Sequence, residues 1–145
     1  LFLWEDGDLA DMPGLIARIA RHTAGTPQLA AAVQADLCER EKLGSTITPD
    51  GETMLLHCRT EGISQAWLGI VRAKEGQTAG LPKLALVMLA PREAQKQTLE
   101  TLGAISRALV EEPAFIKTLR RGDAQSCHHA VEKILNTYYC EITNQ

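Results

Sequence analysis

The run Leu84-Ala85-Leu86-Val87-Met88-Leu89 is apolar at every position. It is far shorter than the roughly 18 apolar residues a membrane span needs. It is also too uniformly apolar for a strand with one wet face. Such a run predicts a central strand over 83–89 with both faces covered, and therefore a sheet between packing layers.

The flanking sequence supplies the other elements. Leu1-Phe2-Leu3-Trp4 reads as a short strand ended by a turn at Glu5-Asp6-Gly7-Asp8. Asp11 before Met12-Pro13 opens a helix whose Leu15, Ile16, Ile19 and Ala20 recur at helical spacing through about His22, with Gly25 stopping it. Thr26 and Pro27 cap a second helix that carries Leu29, Ala32, Val33, Ala35, Leu37 and Cys38 and ends near Lys42. Gly44-Ser45-Thr46 and Thr48-Pro49-Asp50-Gly51 are loop chemistry. Strands are expected over Thr53 to Cys58 and Gln65 to Ala73. After Pro91 the pattern is helical: one helix marked by Leu99, Leu102, Ile105 and Leu109, a second from Pro113 to Gly122, and a last one capped by Asp123. The order β-α-α-β-β-β-α-α-α fits an α/β fold, a three-layer α/β/α sandwich with a mixed sheet, as a single domain over 1–145.

The net charge of −3 argues against a nucleic-acid-binding surface, and no segment is apolar enough for membrane insertion. The four cysteines fit neither a zinc ribbon nor a redox pair, so reduced thiols in a cytoplasmic setting are expected. A chain opening on Leu1 without signal-peptide anatomy is expected to be a domain excised from a longer one.

Among candidate chemical groups, His57 stands out, in a strand that gives way to a loop after Cys58. Arg59 shares its side of the strand, and Arg40 ends the preceding helix. A histidine that accepts phosphate needs one free ring nitrogen, the other held in a fixed tautomer, and nearby donors for the phosphoryl oxygens. Arg40, Ser45, Thr46 and Arg59 are the donors in reach by sequence. From pattern alone, a single histidine near a strand end is more often structural than functional. Cys127-His128-His129 would not converge on one ion from a helix, and no metal or cofactor is expected. Cys58 points away from His57 and reads as a small core residue. His22 and the acidic run Glu5 to Asp11 read as solvated surface.

Arg40-Glu41 at a helix end, then Gly44-Ser45-Thr46, then a strand carrying His57, resembles the enzyme IIA domains of sugar phosphotransferase systems, fructose and mannitol type. The likeness extends through Leu86 to Pro91 and the helix around Leu99 to Leu109. It implies an enzyme IIA-like fold in which His57 receives phosphate from the carrier protein HPr, with Arg40 as the neighbouring positive charge. The sequence departs from that pattern at Leu56, where the family has Pro, and at Cys58, where it has Gly. The interval from Arg40 to His57 is one residue longer, and Thr98 stands where a second active-site histidine is usual. With the ending Phe115-Ile116-Lys117 to Tyr138-Tyr139, this resembles the enzyme IIA-like domain closing multi-domain transcription regulators and antiterminators. The resemblance implies a regulatory phosphoacceptor. The alternatives are a non-catalytic interaction module or a transport component passing phosphate to an enzyme IIB.

Overall fold

The structure is a computed structural model that describes residues 1–74, 76 and 80–143, with backbone alone for 139–143. The chain divides into two compact units, Leu1–Ala94 and Gln95–Gln145.

The first unit holds β1 (Phe2–Gly7), α1 (Met12–Thr23), α2 (Pro27–Lys42), β2 (Thr46–Ile47), β3 (Thr53–Thr60), β4 (Trp67–Ala73) and β5 (Leu84–Pro91). Its five strands form one mixed sheet in the order β1-β4-β5-β3-β2. The β3–β5 and β1–β4 pairs are parallel, while β4–β5 and β2–β3 are antiparallel. The all-apolar run is the centre of that sheet. Every residue from Leu84 to Ala90 is buried, on both faces, as the uniform apolarity predicts.

One face of the sheet packs against α1 and α2. Met54, Leu56, Val71, Ala85, Val87 and Leu89 meet Leu15, Ile16, Ile19, Val33 and Leu37 in one cluster. Burying a side chain of this size contributes about 1.5–3 kcal/mol. The helix ends follow the sequence signals. Asp11 accepts from the amide of Gly14, and Thr26 from that of Leu29, each ahead of a proline in the first turn.

Several boundaries differ from expectation, and β5 itself runs from Leu84 to Pro91 and not over 83–89. β1 runs on through Glu5 and Asp6 instead of turning there, because it is an edge strand whose acidic side chains find Arg72 and Arg18. Thr46 belongs to a two-residue strand and not to a loop. β3 continues past Cys58 to Thr60, in unbroken register with β5 from Thr53↔Leu84 to Thr60↔Pro91. β4 begins at Trp67, two residues later than expected.

The second unit holds α3 (Lys96–Glu111), α4 (Pro113–Arg121) and α5 (Ala124–Thr143). Asp123 caps α5 by accepting from the amide of Ser126 at 2.7 Å. Buried Cys127 packs back on α4, with its Sγ 3.4 Å from the Thr118 carbonyl oxygen. Among the described residues, no helix is long and apolar enough to cross a membrane.

Gly62, just after β3, lets the chain pass close beneath α2. A Cβ there would lie 2.5 Å from the Leu29 carbonyl oxygen and 2.6 Å from Val33 Cγ2. The Gly62 amide also donates to buried Thr60 Oγ1. Backbone on one side and core on the other leave a methyl group nowhere to go. Gly62→Ala is expected to destabilise the protein by about 2 kcal/mol, read as a lower midpoint in urea unfolding; an unchanged midpoint would show that α2 shifts freely.

Candidate functional site

The buried face of α2 is a narrow stripe of Val33 and Leu37. Steps of three and four residues carry that stripe on to Arg40 and Glu41 in the last turn, so both approach the sheet. The helix then stops. The Leu43 amide donates to the Arg40 carbonyl and the Gly44 amide to the Glu41 carbonyl, with Gly44 at φ 114, a left-handed conformation that favours glycine. The turn feeds β2, in which Thr46 pairs with Leu55 and Ile47 with Met54.

Paired residues on neighbouring strands share a face. Met54, Leu56 and Cys58 face the helix layer. Leu55, His57 and Arg59 alternate with them on the opposite face, and Thr46 joins that face through its pairing with Leu55. The turn thus carries the chain from the end of α2 to the side of the sheet that bears His57.

Arg40 spans the turn. Its Nη1 donates to the Gly44 carbonyl at 3.1 Å, and its Nη2 donates to Thr46 Oγ1 at 3.1 Å. Ser45 Oγ donates to Glu41 Oε2 at 2.8 Å. His57 itself is half-buried; its Nδ1 is sealed from solvent, and a backbone hydrogen bond with Leu55 acts on the ring. Nε2 is not among such sealed atoms. Burial holds the His57 pKa below the ordinary histidine value, and the Arg40 charge lowers it further. A backbone interaction with Leu55 and the Glu41 carboxylate act in the opposite direction. The result is a neutral imidazole at neutral pH, with a lone pair available for attack and a fixed cation acting on it.

The structure therefore joins Arg40 to Thr46 and Ser45 to Glu41, with the Arg40 charge acting on His57. Arg59 is placed differently. Its Nη2 donates to the Arg92 carbonyl at 2.8 Å, in the chain leaving β5, where Arg92 also pairs with Asp36 and Glu61. Glu41 is the participant that sequence reasoning passed over as half of a motif pair. Its signal was its place four residues after Leu37 on the buried stripe.

The remaining candidates fall elsewhere. Cys58 packs into the core cluster, and burial pushes its thiol up to about 12, which leaves it an inert sulfhydryl. His128 pairs with Glu132 at 2.9 Å on α5. Among the described residues, no group of three His, Cys, Asp or Glu gathers as a metal site would require. His22 is exposed yet not merely solvated, since it packs edge-on among Phe2, Trp4 and Trp67 at 4.8–5.6 Å.

The depressed pKa has a measurable sign. The folded state favours neutral His57, so its contribution is complete above the ordinary histidine value of 6.5 and is lost as pH falls through it toward the lower folded value. An NMR titration of the ring is expected to give a midpoint below 6.5. Arg40→Gln is expected to raise that midpoint only part of the way, because burial is the larger cause. A wild-type midpoint at or above 6.5 would contradict the geometry.

The fold has counterparts among known proteins. The nitrogen regulatory protein IIA-Ntr from Neisseria meningitidis has a similar structure, with a TM-score of 0.61 and 22% sequence identity over 92% of each chain. Identity that low speaks for the fold, and the α/β arrangement with its mixed sheet is the one the two share. No curated protein matches in sequence. A family model matches residues 6–136, which spans both β1–β5 and α3–α5 apart from the ends. The chain therefore belongs to the EIIA 2 family of the phosphoenolpyruvate-dependent sugar phosphotransferase system.

Proposed function

We propose that the protein is a cytoplasmic phosphoacceptor that takes a phosphoryl group from phosphorylated HPr onto Nε2 of His57. The observation that carries this reading is the half-buried imidazole with Nδ1 sealed, under the field of an arginine anchored at Gly44 and Thr46. The Nε2 lone pair attacks phosphorus in line as the P–N bond of the donor phosphohistidine breaks. The donor ring leaves with that electron pair, so one P–N bond replaces another. Arg40 stabilises the phosphoryl oxygens through its remaining N–H groups. Keeping His57 neutral prevents protonation from blocking the attacking nitrogen.

A regulatory role follows from the departures in sequence. Thr98 stands where a second active-site histidine is usual, and that favours a sensor over a relay to an enzyme IIB. Phosphorylation adds about −1.5 to −2 charge to a surface that already carries Glu41. A change of that size alters docking to another domain, as in a transcription regulator or antiterminator.

Incubation with phosphorylated HPr, followed by intact-mass spectrometry, is expected to show one acid-labile phosphate. His57→Gln is expected to abolish it, and Arg40→Gln to slow it on the order of 100-fold. Labelling that persists in His57→Gln would move the acceptor elsewhere. The absence of any labelling would leave the domain an interaction module, and rapid onward transfer to an enzyme IIB would make it a transport component.

A further inference from the structure

We infer that Thr46 is a positioning residue: its hydroxyl, with the Gly44 carbonyl, sets the Arg40 guanidinium on the His57 face of the sheet, while Ser45 holds the Glu41 carboxylate away from it. This deepens the phosphoacceptor reading of His57 and rests on it for the transfer chemistry.

The case begins with the reach of Arg40. It leaves α2 in the helix layer, whereas His57 lies on the other face of β3. A free arginine side chain samples many rotamers, and confining it costs entropy. Two acceptors confine it here, both from the turn that crosses the sheet edge. They occupy one hydrogen on each terminal nitrogen. Three of the five N–H groups of the fixed fork remain for a phosphoryl group. The anchors therefore aim the cation without exhausting it.

Thr46 fits this task better than direct contact with phosphate. Its oxygen already accepts from Arg40, and its backbone is fixed by pairing with Leu55. Glu41 presents the opposite hazard. It follows Arg40 directly, and among the described residues these two are the charges acting on His57. A carboxylate left loose would compete with phosphate for the guanidinium. Ser45 Oγ engages it at 2.8 Å. Three consecutive residues, Gly44, Ser45 and Thr46, thus engage both charges: Gly44 and Thr46 hold the Arg40 guanidinium and Ser45 the Glu41 carboxylate.

The test compares the full chain with Thr46→Val, which keeps the β-branched shape, and with Thr46→Ser, which keeps the hydroxyl. In the unphosphorylated protein, Thr46→Val is expected to raise the NMR titration midpoint of His57 as Arg40 drifts away, and Thr46→Ser to restore it. With phosphorylated HPr as donor, Thr46→Val is expected to lower kcat about fivefold at unchanged KM, again restored by Thr46→Ser. An unmoved midpoint in Thr46→Val overturns the inference, and so does a change in KM alone, which would put Thr46 in contact with the donor. If wild-type His57 takes no phosphate, the phosphoacceptor reading fails by itself, and the titration still decides whether Thr46 positions Arg40.

Discussion

The Arg40 guanidinium, shared between the Gly44 carbonyl and the Thr46 hydroxyl, ties the end of one helix to the opposite face of the sheet. Several independent features converge to make that possible. Val33 and Leu37 fix the rotation of α2, so that Arg40 emerges toward the sheet and not into solvent. The left-handed Gly44 ends the helix at the right residue, since one more helical turn would carry the chain away from β3. Pairing of Thr46 with Leu55 fixes the height of the hydroxyl along the strand. A slip of one residue in that pairing would send the hydroxyl to the helix face and leave Arg40 unanchored.

His57 is held by a different mechanism. β3 lies between β5 and β2, and its ladder with β5 runs without a break from Thr53 to Thr60. The backbone of His57 is therefore fixed on its β5 side, through its pairing with Met88. Its neighbours Leu56 and Cys58 point the other way, into the core. Half-burial makes the charged imidazole costly, and the nearby cation adds to that cost. Stability and chemistry agree here. The same two effects that disfavour protonated His57 preserve the lone pair that the proposed phosphoryl transfer would require.

Elements defined by strong local chemistry were legible in the sequence. The capped starts of α1 and α2 were, and so were the end of α2 near Lys42 and the apolar β5. What escaped were features set by partners distant in the chain. Glu5 and Asp6 look like a turn until Arg72, 67 residues from Glu5, and Arg18 are seen beside them. Thr46 looks like loop until β3 pairs with it, and two residues carry no periodicity to detect. At the candidate site, His57 and Arg40 were legible as residue types in a familiar order. The destination of Arg59 was not, because it depends on the Arg92 carbonyl 33 residues away. His22 reads as surface in sequence because its aromatic neighbours come from β1 and β4.

The departures at Leu56 and Cys58 take on a physical meaning in this setting. A proline at 56 would remove an N–H from the strand interior, and a glycine at 58 would loosen the strand beyond the histidine. With Leu and Cys there, β3 runs through His57 as an ordinary strand, which is why the expected end at Cys58 is displaced to Thr60. A histidine in a continuous ladder can adjust only through its own side-chain torsions. In the proposed transfer, geometry that a looser strand would reach by moving the imidazole would have to come from the cation. An arginine on a frayed helix end could not supply it, since its rotamer freedom would be lost anew at each transfer. Anchoring of Arg40 by Gly44 and Thr46 would supply it in advance, so that under this proposal the continuous β3 ladder and the clamp on Arg40 are two halves of one arrangement.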